Sequence, residues 1–317
     1  MSSEEQAVML FPLIEQLRRH MEKSGYSPAY IERVCVYSKE CASYLDSIGI
    51  YDVREVTFSA LSGYIREIYW KNSSRGKPYS LCTVATKIGS VRLFFRWLLS
   101  QNIILSNPAL HVRYPKVDKI PRTILSLSEV QALLSQPDLS TLKGIRDRAI
   151  LELFYSTAIR RKELADLDMF DADVGEEVLF IRKGKGGKDR MVPLGRWASF
   201  YLQKYLERRK KIAKRENALF VNVRGSGKRI SCEMLNIIVR EYAKRAGIEK
   251  RVSCHILRHT CAVHMLEGGA DVRSIQEFLG HRFIETTQVY LSVSREELKK
   301  VHRQCHPRGK RAHSENE

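Results

Sequence analysis

The stretch His255-Ile256-Leu257-Arg258-His259-Thr260 decides how the C-terminal half of this chain is read. Apolar residues continue at helical spacing from His259 to Glu267, so the stretch lies at the start of a helix. His255 and Arg258 are three residues apart and share one face of it, where both can address a single anion. Arginine suits phosphate because its planar fork donates two hydrogen bonds and keeps its charge. An isolated arginine is more often a surface or salt-bridged residue, so the weight rests on what accompanies it.

Further along, Arg273–Leu279 has helical spacing and Gly280 suits the left-handed residue that ends such a run. His281 follows directly, and Tyr290 stands nine residues beyond it. A lone tyrosine there would ordinarily be a packed aromatic. Upstream, Arg160 follows a helical run over Arg146–Tyr155. Lys185 sits in Gly184–Gly187, between the β-prone runs Val178–Ile181 and Met191–Val192, which reads as a hairpin. Metal-free phosphodiester cleavage needs an attacking group, positive charge at the non-bridging oxygens and a proton for the departing oxygen. Arg160 and Arg258 could form a clamp that supplies this charge, with His255 on the same helical face as Arg258 and His281 placed to reach a site across a helix end.

Other chemistries fit less well. Lys188 is followed by Asp189, so the phosphate-binding GxxxxGK[ST] loop is absent, and no GxSxG elbow supports a serine nucleophile. Cys254, His255, His259, Cys261 and His264 crowd together, but without a CxxC pair or HExxH motif; no metal or other cofactor is expected.

The chain has 317 residues and a formal charge of +18. Residues 1–110 carry 13 Lys and Arg against 10 Asp and Glu, so most of that excess falls between 111 and 317. Nucleic acid is the leading partner for such a surface, with an anionic membrane as an alternative. The 7 cysteines are odd in number and scattered, as in reduced thiols. Neither a signal peptide nor an apolar run of spanning length is visible, so a cytoplasmic address and no membrane association are expected.

Two domains suit this length. Helical spacing around Phe11–Met21, Pro28–Ile48, Phe58–Trp70 and the stripe Val84, Ile88, Val91, Phe95 and Leu98 predicts an all-helical N-terminal unit over 1–110, with Arg92 and Arg96 flanking the stripe. Three prolines between Ser106 and Thr123 predict an extended connector, with the linker at 111–123. A second unit over 124–302 opens with a helix at a Ser128/Gln131 capping box and is mainly helical with a small sheet. Residues 303–317 read as a basic polar tail.

Over about 125–295 the chain resembles the tyrosine recombinases, or phage-type integrases. The run Arg146-Asp147-Arg148-Ala149-Ile150-Leu151-Glu152-Leu153-Phe154-Tyr155, continuing to Arg160, Glu163 and Leu164, is similar to the family's first block, although Ala158-Ile159 replaces the usual Gly-Leu. Gly184-Lys185-Gly186-Gly187-Lys188-Asp189-Arg190-Met191-Val192-Pro193-Leu194 is similar to its hairpin block. The HxLRH stretch, Leu279-Gly280-His281 and Thr286-Thr287-Gln288-Val289-Tyr290 complete the set in order.

The resemblance implies a mainly α fold: an N-terminal helical bundle of the SAM-like core-binding type, then a mixed α+β catalytic domain of the DNA breaking-rejoining type with a small antiparallel sheet. It implies that Tyr290 is the nucleophile, Arg160 and Arg258 stabilise the phosphate, Lys185 is the general acid, and His255 and His281 assist. The implied partner is double-stranded DNA, bound by a homotetramer on two sites or together with a second recombinase, without ATP or metal. A Xer-like two-domain layout is expected, without an extra arm-binding domain, and the segment Arg295–Val301 is expected to dock on a neighbouring protomer. A type IB topoisomerase and a non-catalytic DNA-binding protein are the competing readings.

Overall fold

The computed structural model describes residues 8–73, 76–116, 123–182, 189–210, 212–213, 216–223, 227–280 and 295–308, the first four of the last segment in backbone only. Lys185, His281 and Tyr290 lie outside the described residues. The chain divides into two compact units, Met1–Ile120 and Pro121–Glu317.

The first unit is built from α1 (Leu10–Lys23), α2 (Pro28–Ser47), α3 (Phe58–Trp70) and α4 (Leu81–Ser100). Proline at the first position of α2 costs no hydrogen bond there, and the hydroxyls of Thr57 and Ser80 accept the amides of Ala60 and Thr83 to start α3 and α4. The predicted stripe of α4 is buried against Leu13, Ile14 and Leu17 of α1 and Val34 and Leu45 of α2. Arg92 donates to the Val112 carbonyl at 3.0 Å and lies over the Tyr114 ring, so it fastens the chain that leaves α4, whereas Arg96 is exposed.

The second unit surrounds α6 (Leu142–Thr157), a helix buried on nearly every side. Its charges are paired inside the core: Arg146 donates to Asp147 Oδ1 at 2.9 and 2.6 Å, and the Tyr242 hydroxyl donates to Asp147 Oδ2 at 3.0 Å. Ahead of it, α5 (Leu127–Ser135) starts at a capping box formed by Ser126 and Glu129, two residues before the expected Ser128 and Gln131. Glu129 also pairs with Lys250, which favours this earlier start.

After α7 (Arg161–Asp166), strands β1 (Ala172–Asp173), β2 (Val178–Ile181) and β3 (Arg190–Pro193) form an antiparallel sheet in the order β1-β2-β3, with Ile181 opposite Arg190 and Val178 opposite Pro193. The sequence points to β2 and β3 and leaves two-residue β1 unmarked. Helices α8 (Arg196–Arg209), α9 (Cys232–Arg245), α10 (Cys254–Glu267), α11 (Val272–Leu279) and α12 (Arg295–Cys305) complete the unit. Gly280 ends α11 with φ +63°, as its position predicts.

The polar tail expected from residue 303 starts later. Helix α12 continues to Cys305, His306 is fully buried, and Arg308 lies over the Trp197 ring and pairs with Glu152. Apolar faces of two imidazoles and the stem of an arginine provide the burial that composition hides. In the single chain α12 packs on its own unit, against α10, α11 and β3. Among the described residues no helix is long and apolar enough to cross a membrane.

Candidate active site

Arg160 follows directly from how α6 ends. Ala158 adopts the left-handed conformation at φ 47°, a place that glycine fills more easily, and turns the chain out of α6. Arg160 is then the residue before the first turn of α7, and the Glu163 side chain accepts its amide at 2.9 Å. Its guanidinium donates to Glu163 Oε1 at 2.8 Å and to the Gly280 carbonyl at 3.1 Å.

Arg258 approaches the same place from α10. It is 6% exposed and donates one terminal nitrogen to the Ala158 carbonyl and the other to the Leu279 carbonyl at 2.6 Å. Neutral carbonyls, rather than a carboxylate, hold its direction, while the Glu163 charge acts on it from nearby. Burial first, then the neighbouring Arg160, push its pKa down to about 10, so it remains a cation at neutral pH. His255 lies on α10 one turn before Arg258 and is exposed.

Arg160, His255 and Arg258 line one open cavity of about 350 Å³, together with Asn236 and Arg240 of α9 and Cys254. The α10 N-terminus opens into it, with the Ser253 hydroxyl accepting the Ile256 amide. Main-chain amides at that end and several cations make the cavity favourable for an anion. Three of the six expected site residues are therefore brought together from two segments, the turn before α7 and the start of α10; Lys185, His281 and Tyr290 lie outside the described residues. Described residues on either side of the undescribed stretches border the site: Gly280, just before His281, through its carbonyl to Arg160, and Arg190, the first residue of β3, through Glu163.

Glu163 is the acidic centre of this arrangement. Burial alone would raise its pKa, but hydrogen bonds and charge from Arg190, with those of Arg160, outweigh it and bring the carboxyl down to about 2. The sequence reading takes Glu163 only as a neighbour of Arg160 and leaves Arg190 in the hairpin block. Their partnership spans 27 positions, and no local spacing reveals it. Neither does spacing reveal Asn236, whose side-chain carbonyl accepts from the Cys254 thiol at 3.2 Å; burial pushes that thiol up to about 12 and keeps it protonated. The crowded Cys and His residues divide: His264 turns to the Tyr155 hydroxyl at 2.8 Å, and Cys261 is buried beside Met265. Among the described residues no group of three metal-ligating side chains forms.

Residues 123–297 match the Phage integrase family. A tyrosine recombinase XerC 2 of Ralstonia nicotianae is 38% identical over 301 residues, 93% of this chain and 86% of that protein. A tyrosine recombinase XerC of Myxococcus xanthus is 34% identical over 94% of this chain and 99% of its own length. Among solved structures, a lambda integrase tetramer bound to a Holliday junction covers 91% of this chain and 82% of its own at TM-score 0.68 and 16% identity. The Tn1549 transposon integrase in complex with transposon right end DNA covers 87% and 92% at TM-score 0.66 and 19% identity. The likeness to these two is one of fold. With its fold, its arginine-lined cavity and relatives of this closeness along nearly its whole length, the chain belongs to the phage integrase family and is a Xer-like site-specific tyrosine recombinase.

Proposed function

We propose that the protein cleaves and rejoins DNA strands through a covalent 3′-phosphotyrosyl link to Tyr290. The observation that carries this reading is the convergence of Arg160, His255 and Arg258 on one anion-favouring cavity. The Tyr290 oxygen attacks the scissile phosphorus as the bond to the 5′-oxygen breaks. Arg160 and Arg258, joined by His281, stabilise the charge on the non-bridging oxygens. Lys185 gives its proton to the leaving 5′-oxygen, and His255 assists proton movement at Tyr290. A 5′-hydroxyl from the partner strand then reverses the step, so bond energy is retained and neither ATP nor a metal is needed.

In this reading the helical unit before the linker binds the DNA core site and the second unit is catalytic. Four protomers, alone or with a second recombinase, exchange strands on two duplexes by way of a Holliday junction, the assembly that the lambda integrase tetramer occupies. The strong basic excess of residues 111–317 supports a duplex partner with steep salt dependence.

Incubation with fragmented genomic DNA, followed by denaturation and sequencing of trapped fragments, tests the reading. A covalent complex is expected for the native protein and none for Tyr290→Phe, which should still bind DNA. An adduct formed by the Tyr290→Phe protein overturns the assignment.

A further inference from the structure

We propose that Arg190 is a positioning residue for strand cleavage: it fixes Glu163, and Glu163 fixes Arg160 toward the scissile phosphate. This rests on Arg160 being a phosphate ligand, as argued above. Each Glu163 oxygen accepts one N–H from each arginine. Oε1 takes Arg160 Nη1 at 2.8 Å and Arg190 Nη1 at 2.9 Å; Oε2 takes the Arg160 amide at 2.9 Å and Arg190 Nη2 at 2.6 Å. Arg160 and Arg190 also bracket the same glycine. Arg160 donates to the Gly280 carbonyl, while a Cβ built on Gly280 would lie 2.9 Å from Arg190 Cδ.

Arg190 is thus held between a carboxylate and a stretch of main chain, and its removal frees half of the acceptor capacity of Glu163. The exposed side of Arg160 has room to move, since its side chain retains 26% exposure. A Glu163 relieved of Arg190 draws the Arg160 fork into a two-pronged pair, away from Gly280 and the cavity. Lysine at 190 restores the charge at a single point and cannot hold both oxygens. Because β3 begins at Arg190 and pairs with β2, the same bridge ties this strand pair to the phosphate clamp. The consequence is a clamp whose geometry depends on the placement of the hairpin.

The test is single-turnover cleavage by the full chain on its own trapped site, with either an ordinary phosphate or a neutral methylphosphonate at the scissile position. Arg190→Lys and Arg190→Gln are expected to slow cleavage of the phosphate by about tenfold or more, with DNA affinity within about twofold. On methylphosphonate, which develops less charge for the clamp to stabilise, the penalty should shrink several-fold. In an Arg160→Lys background, Arg190→Gln should add less than about twofold, because both changes remove one interaction. Equal penalties on the two substrates, or penalties that multiply in the double variant, overturn the proposal, and a folding defect would give the former. Native-rate cleavage by Arg160→Lys would instead remove the reading beneath it, and is told apart because Arg190 is not involved.

Discussion

The His306 ring stacks on that of His302 with centroids 4.6 Å apart and planes 7° from parallel, and both serve the last turn of α6. His302 Nε2 donates to the Ser156 carbonyl at 2.8 Å and His306 Nε2 to the Tyr155 carbonyl at 3.0 Å. The amide of Arg308 donates to His306 Nδ1 at 3.0 Å, which fixes the neutral tautomer of that ring. Carbonyls that a helix end leaves without partners are satisfied by α12 and by the residue that follows it. The residues that follow them, Ala158 to Arg160, lead into the site.

This pairing sets a pH dependence. Burial pushes His302 down to about 4, and burial followed by the adjacent His302 holds His306 well below the usual imidazole range. Both are neutral when folded and protonate when unfolded, so stability falls as pH drops below about 6.5 and continues to fall toward 4, by about 3 kcal/mol for His302 alone. Glu163 acts lower: its contribution is complete above about pH 4.5 and is lost toward 2. Thermal melts from pH 7.5 to 4.5 should show the decline, and His302→Gln should flatten it. A flat native profile would contradict the neutral buried pair.

Gly268 tests the docking of α12. Its backbone is ordinary for any residue, yet an added Cβ would come within 2.1 Å of the Cys305 carbonyl oxygen. Gly268→Ala should therefore lift the end of α12, exposing His302 and His306 to hydrogen exchange while the core of α6 stays protected. Unchanged exchange at α12 would exclude that contact.

Asp147 is wholly buried and serves Arg146, Lys143 and Tyr242. Asp147→Ala leaves the buried Arg146 guanidinium without its carboxylate, at a cost of about 3–5 kcal/mol. Chemical denaturation should report the loss, and cleavage by the fraction still folded should be close to native.

Glu163→Gln separates charge from shape. Three guanidiniums then share the site without a carboxylate, and Arg160 loses its directing partner. Cleavage should fall by about a hundredfold while the fold survives. A variant within about threefold of the native rate would show that Arg160 is oriented by Gly280 alone.

Arg160, His255 and Arg258, which meet at one cavity, stand in short blocks visible in the sequence, and the hydrophobic stripe of α4 announced its helix through spacing. What spacing could not carry was pairing across the fold. Arg190 and Glu163 each resemble a solvated charge until β3 lies beside α7. Helix α8, from Arg196 to Arg209, spreads the aromatics Trp197, Phe200, Tyr201 and Tyr205 among polar and basic residues and gives a weak apolar stripe. The tail was misread for the converse reason: two histidines four residues apart, 302 and 306, were the sign of a buried face within a polar composition.

Arg258 gives the cavity a further property. Its guanidinium is a cation buried among carbonyls, and the Glu163 charge near it is shared with Arg160 and Arg190, so a bound anion would be favoured beside it. The resting protein should therefore act as an anion sensor: pyrophosphate or sulfate should raise its melting temperature in a saturable way, and much less after Arg258→Met. The choice of buffer salt would then decide which state of the clamp is sampled in any experiment without DNA.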